Sequence, residues 1–319
     1  MRVLIVDGLN TFFRNYAVNP VTDNNGIPVG GLIGSLRSIG SQIKEHNSEK
    51  VYVVFDGKGG SVRRRKIYKD YKADRKMSMR MNRQEEFDSI DDKLANMKDQ
   101  LIRLNNYLEL MPVKVVIVDN VEADDVIAYI NETYHKDDDT VIYSSDKDFL
   151  QLVDENTKVY SPAMRKLYDI DEVIRDYNVH PANMTIFRIL QGDKSDNING
   201  IDGFGKKRIP KYLPFVKHEV SYDTEELKDF VERSNRKTVL FERLLDNFDI
   251  VKRNDKLMNL KLFNFSGNAK LKIRDIVNEP IQPMNKMELL IKFNRDQLSH
   301  AMKNFPDWLN KTFMGVEHS

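Results

Sequence analysis

The 319-residue chain contains no cysteine, which excludes disulfides, zinc–thiolate sites and a thiol nucleophile. Its six histidines, His46, His135, His180, His218, His300 and His318, are scattered with no pair at ligand spacing, so imidazole-held zinc is not expected either. Any metal has to be held by oxygen. No stretch approaches the roughly 20 apolar residues of a membrane span, and the opening MRVLIVDGLN runs from strand-like residues to an acid without a long apolar segment. A cytoplasmic protein with no membrane partner is expected. Net charge is nearly absent, at +1, and no heptad pattern or other symmetric-interface signal argues for an oligomer, so a monomer is expected. With 40% hydrophobic and 31% charged residues, the composition is that of a globular chain large enough for one big domain or a domain with a smaller one attached.

What the chain does have is acid in particular places. Asp7, Asp56, Glu122, Asp124, Asp125, Asp146, Asp148, Asp193 and Asp196 each lie where a short apolar run ends or a helix begins. Brought together they repel one another too strongly to stay ionised without cations, and the natural occupant is a hard ion, Mg²⁺. Basic residues are equally uneven. Between Gly57 and Arg83 stand Lys58, Arg63, Arg64, Arg65, Lys66, Lys69, Lys72, Arg75, Lys76, Arg80 and Arg83 against only Asp70 and Asp74. A second basic stretch runs Lys206-Lys207-Arg208 with Lys211 and Lys217. Such segregation suits a polyanion whose backbone is held by cations while its reacting phosphate is drawn to metal. Nucleic acid is the expected partner.

Runs rich in β-branched residues at Val3–Val6, Val51–Phe55, Val113–Val118 and Thr140–Tyr143 alternate with helical patterns at Gly31–His46, Gln84–Leu110 and Glu122–Tyr134. This alternation predicts an α/β fold with a mostly parallel sheet buried on both faces by helices. Asp7, Asp56, Glu122 and Asp146 then fall at the carboxyl ends of the strands, where open parallel sheets bind ligands. Between Gly57 and Asn82 the apolar periodicity lapses, and basic residues alternate with Tyr68 and Tyr71 before Met77, Met79 and Met81. It reads as a basic gate. Lys158–Asp169 reads as a strand and hairpin, Asp171–Tyr177 and Pro181–Gln191 as helices, and Gly192–Gly205 as loop-rich. Helical patterns near Glu225–Glu232, Lys237–Leu245 and Met287–Phe313 carry no assignable motif.

The succession VDGLNTFFR, VFDG, YKADR, EADD, SSDKDF and GDKSDNINGIDGFGKK resembles the structure-specific 5′-nuclease family of flap endonucleases and 5′→3′ exonucleases, over about residues 1–212. Within that family, KVYSPAMRKLYDI and the chain length are most similar to the T4-type phage ribonuclease H members. The resemblance implies a PIN-like core over about residues 1–180, including a basic helical arch at about 57–95. It also implies a helical DNA-binding subdomain over 181–319 with a helix-hairpin-helix-type turn at about 192–212. Position by position, Asp7, Asp56, Glu122, Asp124, Asp146 and Asp148 correspond to the first metal set, and Asp125, Asp193 and Asp196 to a second, looser one. Lys72, Arg75 and Arg14 match catalytic cations. One of Arg63, Arg64 and Arg65 matches a phosphate-binding arginine, and Gly200, Gly203 and Gly205 with Lys206 and Lys207 fit a DNA-gripping turn. Asn199 stands where many members have proline.

Two Mg²⁺ ions roughly 3.5–4 Å apart, with Mn²⁺ as a substitute, suit hydrolysis of a phosphodiester. Some of the nine acids would hold water ligands rather than metal. Glu122 and Asp125 share a helix face; Asp193 with Asp196, and Lys72 with Arg75, do so if their segments are helical. Tyr68 or Tyr71 suits stacking on an unpaired base. Each acid taken singly reads as a cap or turn residue, and Asp137-Asp138-Asp139 as a solvated turn; their joint order argues otherwise. The expected activity is 5′→3′ exonuclease and flap endonuclease cleavage of DNA and of RNA in RNA–DNA hybrids, as in primer removal. By family habit, a sliding clamp or single-strand-binding protein is a partner. The alternatives are a PIN-type single-strand ribonuclease and a non-catalytic nucleic-acid scaffold.

Overall fold

The computed structural model describes residues 1–73, 87, 89–234 and 238–316. Six strands form one sheet among them, β1 (Arg2–Asp7), β2 (Lys50–Asp56), β3 (Lys114–Val118), β4 (Asp139–Tyr143), β5 (Thr157–Ser161) and β6 (Lys166–Tyr168), in the order β3-β2-β1-β4-β5-β6. All neighbours are parallel except β5 and β6, an antiparallel pair at the edge. The strand order reverses beside β1, which pairs with both β2 and β4. A parallel sheet opens a crevice at such a reversal, and Asp7 stands at its lip.

Helices cover both faces because the strands carry apolar side chains on both. Val3 and Ile5 face one hydrophobic layer, Leu4 and Val6 the other. On the second side lie α1 (Gly8–Val18), α2 (Gly30–Glu45) and, after the short basic α3 (Val62–Ile67), α4 (Ile90–Leu108). The first side takes α5 (Ala123–Tyr134), α6 (Ile170–Tyr177), α7 (Met184–Gln191), α8 (Ile209–Tyr212), α9 (Thr224–Arg233), α10 (Val239–Asp246), α11 (Phe248–Met258) and α12 (Gly267–Asn278). The chain then crosses back, so that α13 (Lys286–Arg295) and α14 (Phe305–Phe313) complete the second layer.

The expected α/β class and the four parallel strands are as observed. Several local expectations are corrected. Pro181–Gln191 is not one helix: Pro181–Asn183 form a 3₁₀ turn, and α7 starts at Met184. Within the loop-rich Gly192–Gly205 stretch, Gly192–Asp193 (β7) pairs antiparallel with Ile198–Asn199 (β8). That hairpin also removes the helical face proposed for Asp193 and Asp196. Met287–Phe313 is two helices, separated at Gln297 and Asn304, which adopt φ of 55° and 57°. Helices α1, α11 and α12 were not anticipated. The middle of the expected arch, including Arg75, Met77, Met79 and Met81, lies outside the described residues. Within its described base, Lys72 has φ 55°, so it stands in a turn and not on a helix.

Gly57 shows how tightly the strand ends are drawn together. A Cβ there would lie 2.0 Å from the Val118 carbonyl oxygen and 2.3 Å from its carbon, so the turn after Asp56 needs glycine to pass the end of β3. Gly57→Ala is expected to destabilise the fold by about 1–3 kcal/mol through overpacking, read as a lower thermal midpoint. An unchanged midpoint would show that the β2 and β3 ends have room to move apart.

Candidate active site

Each acid arrives at the carboxyl edge of the sheet by a local rule. Asp7 ends β1 and caps α1, accepting from the Asn10 amide at 3.1 Å; Ser144, just past β4, donates to its other oxygen at 2.9 Å. Asp56 ends β2 and accepts from the Ala123 amide at 2.6 Å, tying that strand to the start of α5. Asp146 caps the 3₁₀ turn Lys147–Leu152 by accepting from Asp148 N at 2.8 Å. Asp124 and Asp125 fill the first turn of α5, where the helix dipole favours negative charge.

These elements frame a cavity of about 920 Å³ lined by Asp7, Asp56, Glu122, Asp124 and Asp146, with Arg14, Arg65 and Lys72. A smaller cavity of about 600 Å³ adjoins it through Asp146 and is lined by Asp193, Lys147, Lys194 and Arg188. The nine predicted acids thus divide. Asp125 points away from the cavity to Arg63 at 2.8 Å and to Arg64 at 3.0 and 3.1 Å. Asp148 pairs with Arg188, which also reaches Asp193. Asp196 lies 3.9 Å from the Lys72 ammonium and accepts from the Tyr71 hydroxyl at 3.3 Å.

Among the described residues, Glu122, Asp124 and Asp125 form a group whose carboxylate oxygens lie within 4.8 Å of one another. Their shared charge is already answered by Arg64, whose guanidinium, only 2% exposed, binds all three. Glu122 in addition accepts from Tyr71 at 2.9 Å and Lys72 at 2.8 Å. Among the described residues, no ion pair is formed by Asp7, Asp56 or Asp146, and all three carboxyls are pushed up. For each the largest cause is burial, offset by amide hydrogen bonds and added to by neighbouring acids. Oxygen donors short of positive charge fit a hard divalent cation. Asp7, Asp56 and Asp146 are where one would be held, with Glu122 and Asp124 beside it.

Two expected DNA contacts are corrected. Arg64 is buried against Glu122, Asp124, Asp125 and the Leu257 carbonyl at 2.8 Å, so its guanidinium has nothing left for phosphate; of the three arginines, Arg65 lines the cavity. Tyr71 is 2% exposed and presents no face to a base. Tyr68 is half-buried, with the Arg253 guanidinium 4.3 Å from its ring centre. Two aromatic residues of α1 line the cavity, Phe13 and Tyr16, and of these Phe13 is exposed, at 39%, while Tyr16 is buried. Gly200 packs against the end of α7, where a Cβ would meet Leu190 O at 2.3 Å. Gly203 has φ 93°, and Gly205 stands in open space before α8, with Lys206 and Lys207 exposed beside it.

Sequence reasoning also missed Asn10, which accepts from the Ser145 amide at 3.1 Å, and Arg188. The signal for Arg188 was available: a lone cation inside MTIFRILQ, an otherwise largely apolar helix, has to be paired when buried.

A family model for the 5′-3′ exonuclease N-terminal resolvase-like domain matches residues 2–178. The chain is 35% identical over 205 residues to a 5′-3′ exonuclease of Aquifex aeolicus, covering 64% of this chain and 65% of that protein. It is 29% identical over 221 residues to DNA polymerase I of Caldicellulosiruptor bescii, but spans only 24% of the polymerase. Among solved structures, bacteriophage T5 D15 flap endonuclease in a pseudo-enzyme-product complex with DNA and metal ions superimposes with a TM-score of 0.67 at 21% identity, over 94% of this chain and 99% of that one. T5 D15 protein co-crystallised with metal ions gives 0.65 at 21%, over 95% and 100%. At these identities the structural likeness is one of fold.

Two expectations follow from the charge pattern. Burial raises the Asp7 carboxyl from its ordinary 3.8 to about 7. The unfolded chain therefore releases this proton near 3.8 and the metal-free fold near 7, and deprotonation across that window costs the fold stability. In EDTA, Asp7→Asn should be more stable than the parent at pH 8, by on the order of 1–2 kcal/mol after discounting for solvent in the cavity, and should match it at pH 4. A parent that gains on the variant as pH rises would contradict this.

Arg64→Ala should cost about 3–5 kcal/mol by stranding buried carboxylates, whereas Arg65→Ala should leave chemical denaturation unchanged within about 0.5 kcal/mol. Equal losses would undo the assignment of the two arginines.

Proposed function

The chain belongs to the 5′-3′ exonuclease family, and from that premise we propose that it is a metal-dependent 5′-nuclease hydrolysing phosphodiester bonds in DNA with a 5′ end or 5′ flap. The observation that carries the reading is the convergence of Asp7, Asp56 and Asp146, none of them ion-paired among the described residues, on a cavity whose wall also holds Lys72, Arg65 and Arg14. Mg²⁺ is the proposed cofactor, as two ions for which Mn²⁺ substitutes; bound there, they supply positive charge to the scissile phosphate and to its leaving oxygen.

The chain's own groups do the rest. Arg65, exposed on the cavity wall, holds a phosphate by a forked contact. Lys72 stands with its ammonium 2.8 Å from Glu122, close enough to the acids to neutralise charge that grows on the phosphate as the bond breaks. Arg14, one helical turn after Asn10 on α1, adds a second cation to that wall. Phe13 offers a ring on which an unpaired base stacks, a contact of roughly 1–3 kcal/mol. The Gly203–Arg208 turn, with Lys206 and Lys207, grips the duplex backbone beyond the cavity, and the segment holding Arg75 serves as the basic arch.

RNA in RNA–DNA hybrids is proposed as a second substrate and primer removal in DNA replication as the setting. The enzyme is proposed to act as a cytoplasmic monomer, with a sliding clamp or single-strand-binding protein in contact. No helix among the described residues is long and apolar enough to cross a membrane. A PIN-type ribonuclease would share the acids but have no use for the basic turn at Lys206 and Lys207.

Asp146→Asn should reduce Mg²⁺-dependent cleavage of a 5′-flap DNA by at least about a thousandfold while changing its binding affinity by less than about fivefold. Lys72→Ala should slow single-turnover cleavage more than it weakens binding. Parent-like turnover by Asp146→Asn would remove the nuclease reading. Preference for single-stranded RNA over flap DNA would favour the ribonuclease alternative.

A further inference from the structure

Asn254, midway along α11, is fully buried, and both ends of its amide are used. Nδ2 donates to the carbonyls of Ile189 at 3.0 Å and Asn199 at 2.9 Å. Oδ1 accepts from Nε and Nη2 of the neighbouring Arg253 at 3.2 and 2.9 Å, and Arg253 Nη2 also reaches the Asn199 carbonyl at 3.3 Å. The guanidinium carbon stands 4.3 Å over the centre of the Tyr68 ring, a ring that packs in turn against the cluster of Tyr71, Ile198, Leu257 and Met258. Amide oxygens at its edge and an aromatic ring on its face therefore hold this guanidinium in one orientation.

What these contacts do not supply is negative charge. Arg64 is met by the carboxylates of Glu122, Asp124 and Asp125, and Arg188 by those of Asp148 and Asp193. Arg253 is half-buried, yet the oxygens around it are neutral, and it forms no ion pair among the described residues. Its Nη1 has no hydrogen-bond partner there. A cation oriented by neutral oxygens, with N–H groups to spare, is suited to an anionic oxygen of phosphate. Its place in the chain points the same way. Asn199 directly precedes Gly200 at the start of the basic turn, and Tyr68 comes just before Lys72 at the base of the basic segment. Arg253 thus stands at the seam between the two parts of the molecule assigned above to DNA.

We propose that Arg253 is a phosphate-binding residue of the DNA interface, taking a backbone phosphate of the duplex at the seam between the Gly200–Arg208 turn and the basic segment. This rests on the nuclease reading above and deepens it. Nη1 donates to a phosphate oxygen, and the phosphate brings the negative charge that the amide oxygens lack. Tyr68 is a positioning residue that acts through Arg253: its ring, expected to stack on a base, stacks on the guanidinium instead. Asn254 orients the same group from its edge.

The test is binding of a 5′-flap DNA to the full-length protein in EDTA, which prevents metal-dependent cleavage, over a series of KCl concentrations. Arg253→Ala should weaken binding about tenfold and make the slope of log affinity against log salt shallower by about one, the loss of one phosphate contact. Tyr68→Phe keeps the ring and should bind within about twofold of the parent, whereas Tyr68→Leu keeps only the apolar burial and should lose about fivefold or more. Methylphosphonate substitution, which removes the charge of one phosphate at a time, separates a direct contact from a loosened fold. At one duplex position that substitution should cost the parent about fivefold or more and Arg253→Ala less than about twofold; a loosened fold would lose the same factor at every position. Should Arg253→Ala fail to fold, Tyr68→Leu carries the test, with the cost at that one position reduced. An unchanged salt slope in Arg253→Ala, a Tyr68→Leu that binds like Tyr68→Phe, or variants whose response to methylphosphonates matches the parent at every position would each overturn this inference alone. A parent that does not bind flap DNA would overturn the nuclease reading and this inference with it.

Discussion

Carboxylates gathered at the carboxyl edge of a parallel sheet cannot all stay ionised unless positive charge stands between them. This single constraint orders the molecule around it. The sheet delivers Asp7 and Asp56 at its strand ends because the backbone there turns directly into helix or glycine loop. Asp146, Asp124 and Asp125 follow within the next turn or two. The chain then answers part of the charge itself, with Arg64 and Lys72 on one flank and Arg188 on the other. What is left over among the described residues, at Asp7, Asp56 and Asp146, is the charge proposed to be met by a divalent cation.

The internal cations also join the cavity to the parts of the chain proposed to hold DNA. Arg64 reaches past the acids to the Leu257 carbonyl near the end of α11. Asn254, one turn earlier on α11, donates to Ile189 and Asn199 carbonyls at 3.0 and 2.9 Å. Tyr71, Ile198, Leu257 and Met258 close a small apolar cluster between them. The Lys72 amide donates to the Asp196 carbonyl at 2.9 Å, and Asn197 donates to the Asp70 carbonyl at 3.0 Å. The base of the basic segment and the β7–β8 hairpin are therefore one hydrogen-bonded unit, so the placement of Lys72 depends on the hairpin as much as on its own segment.

Much of this was legible in the chain. The β-branched runs located four parallel strands, because buried strands have little choice of residue. The acids at their ends followed from strand polarity alone. What the sequence could not supply was pairing across distance. Nothing local distinguishes Arg64 from Arg65, yet α3 turns one inward to Asp125 and leaves the other at the cavity; likewise Tyr71 is buried by contacts with Ile198 and Leu257, far away in sequence. The helical-face argument for Lys72 failed for a local reason, a left-handed backbone at that residue, which lysine rarely adopts. The one missed residue with a readable signature was Arg188, a cation embedded in an apolar helix.

The central claim is that the unpaired charge of Asp7, Asp56 and Asp146 marks the place of a divalent ion. Anomalous diffraction from a crystal of the DNA-free protein soaked in Mn²⁺ tests it most directly. The account predicts a strong peak in the larger cavity within direct or water-bridged reach of those three carboxylates. A cavity without such a peak, or a peak seated instead between Glu122 and Asp125 with Arg64 displaced, would contradict it.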